Sequence, residues 1–236
     1  MAILNRLRTK FDLRYAVTEI ILISIAILLA LAIDQWWQNK ADRRAELEYL
    51  IRLEVEFGQN RQMIEFWISK MEEKRRFVLT LKEGEIDTLL DQDASSLWQA
   101  FNVSSLPCFP PLRAASYTEL LSTGQLGLLR DDAIRRALVN YYATFEAASE
   151  GASRNAPLAY NAIIFKRFSP DAAYSAAVLG DAERADIAAG LTAMRNDPDL
   201  SQAATAEANY AISCIESLEQ MRARAEELHS LLRRAE

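Results

Sequence analysis

The uninterrupted apolar run from Tyr15 to Trp37, YAVTEIILISIAILLALAIDQWW, restricts this chain more than any other feature. At about 1.5 Å of rise per helical residue it reaches roughly 34 Å, against a hydrocarbon core of about 30 Å. The run predicts a transmembrane helix, with the lipid bilayer as the first partner. Tyr15 at one end and Trp36 and Trp37 at the other suit the two interfaces, where a ring is half apolar and half wet. A cleaved signal peptide is the competing reading, because Arg6, Arg8, Lys10 and Arg14 precede the run and Ala30-Leu31-Ala32 imitates a cleavage site. The length of the run and its continuation into Ile33-Asp34-Gln35-Trp36-Trp37 favour the uncleaved form.

Orientation rests on a narrower balance, since Lys40, Arg43, Arg44 and Arg52 follow the span much as four bases precede it. The N-terminal tail is the more purely basic side, and long C-terminal domains translocate largely regardless of charge. The expected topology is an N-terminus inside and the bulk of the chain in the periplasm of a two-membrane bacterium, anchored in the inner (cytoplasmic) membrane. Four bases and Asp12 give the tail +3 and Glu19 subtracts one, so the residues beyond carry −8 of the net −6. That acidic balance argues against nucleic acid, whose phosphates demand clustered Lys and Arg.

Seven glycines and six prolines are few for 236 residues, and the predicted fold is all-α. The expected organisation is a cytoplasmic tail over 1–14, a membrane helix over 15–37 and a helical extracytoplasmic domain over 38–236, with a stalk over 38–83 and a bundle over 85–236. In the stalk, Leu47, Leu50, Ile51 and Val55 recur at helical spacing, with Glu46, Glu48, Arg52 and Glu56 on other faces. A bend is expected at Gly58-Gln59-Asn60. Beyond it Ile64, Trp67, Ile68, Met71, Val78 and Leu81 carry another apolar stripe. A shorter helix is expected over 87–102.

The stretch Ser104-Ser105-Leu106-Pro107-Cys108-Phe109-Pro110-Pro111 is a structured loop, because three prolines remove donors and push their predecessors towards extended geometry. Helices follow over 113–122, closed by Gly124, and from Asp131 or Asp132 as N-cap. A softer region over 151–157 precedes a helix ending near Phe168, and another is expected over 181–196. The last helix, over 200–234, carries Ala211, Ile215, Leu218, Ala225, Leu228 and Leu232 at bundle spacing, with Arg222 breaking the register.

Two blocks carry a family resemblance. Tyr15-x-x-x-Glu19-Ile20, followed by Ala30-Leu31-Ala32-Ile33-Asp34-x-Trp36, resembles the N-terminus of a family of uncharacterised bacterial single-pass membrane proteins, a domain of unknown function. Tyr117-x-Glu119-Leu120-x-x-x-Gly124-x-Leu126-Gly127-Leu128-Leu129, then Tyr141-Tyr142, is similar to that family's central segment. The resemblance implies one N-terminal membrane helix and a helical extracytoplasmic domain, and it implies no activity. Trp37 and the Cys108 loop stand outside its pattern.

Glu19 is the sharpest single residue, because a carboxylate near the bilayer centre costs about 2.5–3.5 kcal/mol on insertion scales and less near an interface. It either sits at headgroup depth with no specific role or hydrogen-bonds a partner helix, with Thr18 and Ser24 as weaker polar contacts. Cys108 and Cys214 are the two cysteines. They form either a disulfide, which an outside location permits, or two buried thiols. Around Tyr117, glycines 124 and 127 most simply give a positive-φ cap and a tight connection. Alternatively Arg113, Tyr117, Glu119 and Tyr141 line a polar pocket for a small ligand.

His229 is the lone histidine, on a charged helix that reads as exposed, so no metal and no cofactor is expected. No nucleophile elbow, phosphate loop or metalloprotease helix occurs, and the reading is of no enzyme. The expected function is a membrane-anchored helical interaction protein, an accessory or scaffold subunit of an envelope membrane complex. Its partner would be another membrane or periplasmic protein, or a second copy of itself. The alternative is an extracytoplasmic sensory module that binds a small ligand and signals through a partner.

Overall fold

The computed structural model describes residues 13–83, 88–89, 100, 102–167 and 189–235, with side chains from residue 17 onward and none over 164–167. Helix α1 spans Leu13–Glu83, followed by α2 (Ala115–Ser122), a 3-10 turn (Gln125–Leu128), α3 (Asp132–Asn155), α4 (Leu158–Arg167) and α5 (Leu200–Ala235). No strand occurs among the described residues. The all-α expectation therefore agrees with the structure. The helices expected over 87–102 and 181–196 lie for the most part outside the described residues, as does the side chain of Tyr15.

The chain divides into two compact units, residues 1–49 and 50–236. In the first, α1 is largely apolar from Val17 to Trp37 and charged beyond it. Its side chains from Val17 to Trp37 are all exposed, with Leu28 65 % accessible, and its most apolar 18-residue window has a mean hydropathy of 2.4 with none of it buried. The helix is long and apolar enough to span a membrane. Glu19, Thr18 and Ser24 stand on this exposed surface. At its end Trp36 and Trp37 pack edge to face at 5.1 Å, and the Lys40 ammonium lies 5.1 and 5.8 Å from their ring centres. Arg43 pairs with Glu46 at 2.7 Å.

In the second unit the rest of α1 is amphipathic and shares its core with the later helices. Leu53, Phe57, Ile64, Met71, Val78 and Leu81 are essentially inaccessible. The expected bend at Gly58-Gln59-Asn60 falls within unbroken helix, and the buried face continues through Asn60, which is 1 % exposed. The expected stripe is corrected: the inward residues at the start of this unit are Leu50, Leu53 and Phe57, whereas Ile51 and Val55 face outward; Glu56, placed on another face, is buried, as is Glu46 in the first unit.

The remaining helices begin and end where local chemistry dictates. Gly124, at φ +68°, closes α2 in the left-handed region that favours glycine. Gly127 does not share that conformation: it sits in the 3-10 turn, and Gly124 alone has positive φ among the described residues. Asp131 caps α3, its carboxylate accepting from the N–H groups of Ala133 and Ile134. Helix α3 runs through Gly151 to Asn155, so the softer region is shorter than expected. On α5 the seam Ala211, Leu218, Ala225, Leu228 and Leu232 is buried, and Cys214 and Met221 complete it where Arg222 had suggested a break. His229, expected to be exposed, is half-buried with Nε2 3.3 Å from Glu54 Oε1.

Cys108 and Cys214 are joined in a disulfide that ties the proline segment to α5 across 106 positions of sequence. By loop-closure entropy such a bridge stabilises by about 4–5 kcal/mol, and loss of a native bridge commonly costs about 2–5 kcal/mol. We expect thiol titration of the denatured, unreduced chain to find no free cysteine, and Cys214→Ser to lose about that stability. Two titratable thiols would contradict the bridge.

Candidate functional site

The proline segment has a hydrogen-bonding problem that its own residues cannot solve. From Leu106 to Ala114 the backbone is neither helix nor strand, yet Cys108, Phe109 and Pro110 are buried. Buried carbonyl and N–H groups without partners cost about 1–3 kcal/mol each. Helix α1 supplies side-chain partners to the groups that flank these three residues: half-buried Leu106, exposed Pro107 and Arg113, and buried Ser116. Lys74 Nζ donates to the Leu106 carbonyl at 3.1 Å and Trp67 Nε1 to the Pro107 carbonyl at 2.9 Å. Asn60 clasps Arg113 from both sides, its Nδ2 donating to the Arg113 carbonyl at 2.8 Å and its Oδ1 accepting the Arg113 N–H at 2.9 Å. One turn further back, Glu56 Oε2 accepts the Ser116 N–H at 2.9 Å.

These residues form a ladder on one helix face. Asn60, Trp67 and Lys74 are seven apart, a spacing that returns to nearly the same face after two turns. As the strap advances from Leu106 to Ser116, its partners step back from Lys74 to Glu56, so strap and helix run antiparallel. Apolar Phe57, Ile64, Met71 and Val78 occupy the alternating seam positions between the rungs. The signal was present in the sequence as a strict three–four alternation from Leu50 to Leu81. The sequence reading includes Leu50, Ile64, Trp67, Met71, Val78 and Leu81 of this series, omits Leu53, Phe57 and Lys74, and gives Asn60 and the neighbouring Glu56 no inward role.

Both ends of the ladder are fixed by longer-range contacts. At one end Lys74 also pairs with Glu207 of α5, both side chains 2 % exposed, and its ammonium lies 5.7 Å from the Tyr210 ring centre. Burial raises the Glu207 pKa, and the Lys74 charge and hydrogen bond offset part of that rise. At the other end Glu56 Oε1 accepts the Tyr142 hydroxyl of α3 at 2.6 Å, and that hydroxyl lies 3.0 Å from the Arg113 carbonyl. Tyr142 stacks on Tyr117 at 4.3 Å, and Phe57 meets Tyr141 and Tyr142 edge to face at 4.9 and 5.8 Å.

The four residues read as a possible polar pocket are thus partly gathered and differently employed. Tyr117 and the Arg113 carbonyl surround Tyr142, and Tyr141 is buried beneath Phe57 with no hydrogen-bond partner for its hydroxyl. Glu119 instead pairs with Arg52 at the surface. Tyr141 contributes to a hollow with Arg136, Asn140, Arg224 and Leu228. No group of three or more His, Cys, Asp or Glu side chains suited to a metal ion occurs among the described residues. What the arrangement does chemically is hold a strap.

Tyr142 is the residue whose titration reports on this cluster. Burial raises its pKa first, and the hydrogen bond to Glu56 and the Glu56 charge raise it further. Tyr141 is raised by burial. A folded-state pKa above the unfolded value of 10.0 gives stability that is complete below that pH and lost as pH rises beyond it, because the unfolded chain then holds fewer protons. We expect denaturant midpoints to fall between about pH 9 and about pH 11, and the fall to be shallower in Tyr142→Phe. That variant should also lose about 1–3 kcal/mol at neutral pH, through the unpaired Glu56 oxygen. An unchanged slope would contradict the role given to Tyr142.

Residues 19–148 match a family of unknown function, DUF6090. The matched stretch holds every rung on α1, the strap and Tyr142, and ends before α5. No curated protein and no solved structure matches the chain. With more than half of its residues matched, the chain belongs to DUF6090, a family of unknown function.

Proposed function

We propose that this chain is a membrane-anchored interaction protein of the bacterial envelope, with the N-terminal part of α1 in the inner membrane and residues 50–236 as a folded periplasmic unit. One observation carries the reading: from Val17 to Trp37 every side chain is exposed, large aliphatic residues included. Leaving that much apolar surface in water is unfavourable by roughly 25 cal/mol per Å2, and a bilayer removes the penalty. The Trp36, Trp37 and Lys40 cluster at the end of the run has the amphipathic chemistry of a headgroup interface. The Cys108–Cys214 bridge suits an oxidising compartment.

On this reading the chain is an accessory or scaffold subunit and performs no catalysis. Glu19, with Thr18 and Ser24 beside it, contacts a partner helix within the membrane. A second reading, an extracytoplasmic module that senses a small ligand and signals through a partner, draws support from a half-open cleft between α3 and α5.

Extraction in mild detergent followed by affinity purification is expected to recover the intact chain from the membrane fraction with a stoichiometric membrane neighbour, which Glu19→Leu loses while the fold is retained. Added protease should digest the C-terminal unit from the periplasmic side only. Mature chain in a salt-washed soluble fraction, shortened by its apolar run, would overturn the anchor. Unchanged recovery of the neighbour with Glu19→Leu would remove the role of Glu19.

A further inference from the structure

Helices α3 and α5 pack antiparallel. Tyr210 of α5 donates to the Ala152 carbonyl near the end of α3 at 3.0 Å, while Arg136 and Asn140 from the start of α3 share a hollow with Arg224 and Leu228. Near the end of α3 the two helices part to form a cleft of about 420 Å3. The sequence opens it: Ala148 and Ala152 on α3 and Ala206 on α5 stand where larger side chains would fill the gap. Cys108 and Cys214, 4 % and 1 % exposed, lie at its bottom, whereas Asn155, Asn209 and Ser213 are exposed at its rim.

Two features of this lining specify what it can hold. The first is charge. A quarter of the chain is Asp, Glu, Lys or Arg, yet all eleven residues around the cleft are uncharged. Glu150 and Arg154, on the same turns of α3, pair with each other at 3.3 Å and do not line it. An ionic ligand would give up hydration without meeting an opposite charge. The second is hydrogen-bonding capacity. The side chains of Asn155, Asn209 and Ser213 make no hydrogen bond with another described residue, so two amides and a hydroxyl offer both donors and acceptors at the rim. The Tyr210 hydroxyl is spent on Ala152, which fixes the ring as a rigid wall. The volume lies within the range of about 300–1,000 Å3 common to small-molecule sites.

The geometry points to a binding site for a neutral small molecule that carries both hydroxyl and amide groups, with the size and chemistry of an N-acetylated hexosamine. Hydroxyls and the acetamido group meet the asparagines and Ser213, and the acetyl methyl meets the alanine floor. Tyr210 also carries Lys74 against its ring, so a molecule in the cleft lies against Cys108 of the strap and one side chain away from the buried Lys74–Glu207 pair. The site gives the sensory reading a ligand class, but it does not depend on the anchor or on any partner.

The test is saturation-transfer NMR on the full chain in mild detergent, with N-acetylglucosamine as the probe and glucosamine and glucuronate as cationic and anionic controls of similar size. We expect saturable binding of the N-acetylated sugar and at least about tenfold weaker binding of both charged sugars. Ala206→Phe, which fills the cleft from an exposed position, should abolish binding, and Asn209→Ala should weaken it about fivefold. Circular dichroism checks that both variants fold, and Asn209→Ala alone carries the test if Ala206→Phe does not. No saturable binding, equal binding of a charged sugar, or full binding by the folded variants would each overturn the proposal. Because binding is read on the isolated chain, failure of the membrane reading would leave this result untouched.

Discussion

An extended segment with three prolines cannot enter a protein interior unless something else satisfies its backbone, and here one helix does so. The strap from Leu106 to Ser116 gives its polar groups to Lys74, Trp67, Asn60 and Glu56 of α1. Its cysteine is bonded to α5, and its Arg113 carbonyl lies against the Tyr142 hydroxyl of α3. Helices that are far apart in sequence therefore meet through a piece of chain that has no regular structure of its own. Without the ladder, the segment that carries Phe109 and Pro110 into the core would lose its flanking hydrogen bonds to α1.

Placing polar residues in an apolar seam has a second consequence. A purely aliphatic stripe from Leu50 to Leu81 would pack against the strap in several registers, because hydrophobic contact is non-directional. Asn60 fits only where it meets both the N–H and the carbonyl of one residue. A slip of the strap would also take the Leu106 carbonyl from Lys74 and the Ser116 N–H from Glu56, and each buried polar group left unpaired costs about 1–3 kcal/mol. The polar rungs thus act mainly on specificity, and the apolar seam between them supplies most of the burial energy.

Much of this was legible in the sequence where periodicity or punctuation is strong. The apolar run, the all-helical fold, the capping Asp131, the closing Gly124 and the seam of α5 all follow from residue type and spacing. The inward face at the start of the second unit was not legible, because Leu47, Ile51 and Val55 offer one stripe and Leu50, Leu53 and Phe57 another, and only packing chooses between them. Gly58 does not end the helix, because its neighbours on the buried face continue the pattern. Glu56, Asn60 and Lys74 were missed for a different reason: a polar residue on a helix reads as surface unless its partner is known. Those partners lie 32 to 86 positions away.

The apolar helix and the strap together describe a chain whose second unit is held by side-chain-to-backbone bonds. Amide hydrogen exchange of the full chain in mild detergent tests that central claim most directly, read at Arg113 and Ser116. These two N–H groups lie outside regular backbone pairing, and their partners are Asn60 and Glu56. The account expects both to be protected to the level of the helical core, and Arg113 to lose that protection in Asn60→Leu while α1 keeps its own. Exchange at both positions as fast as in an open loop, in the unaltered chain, would contradict it.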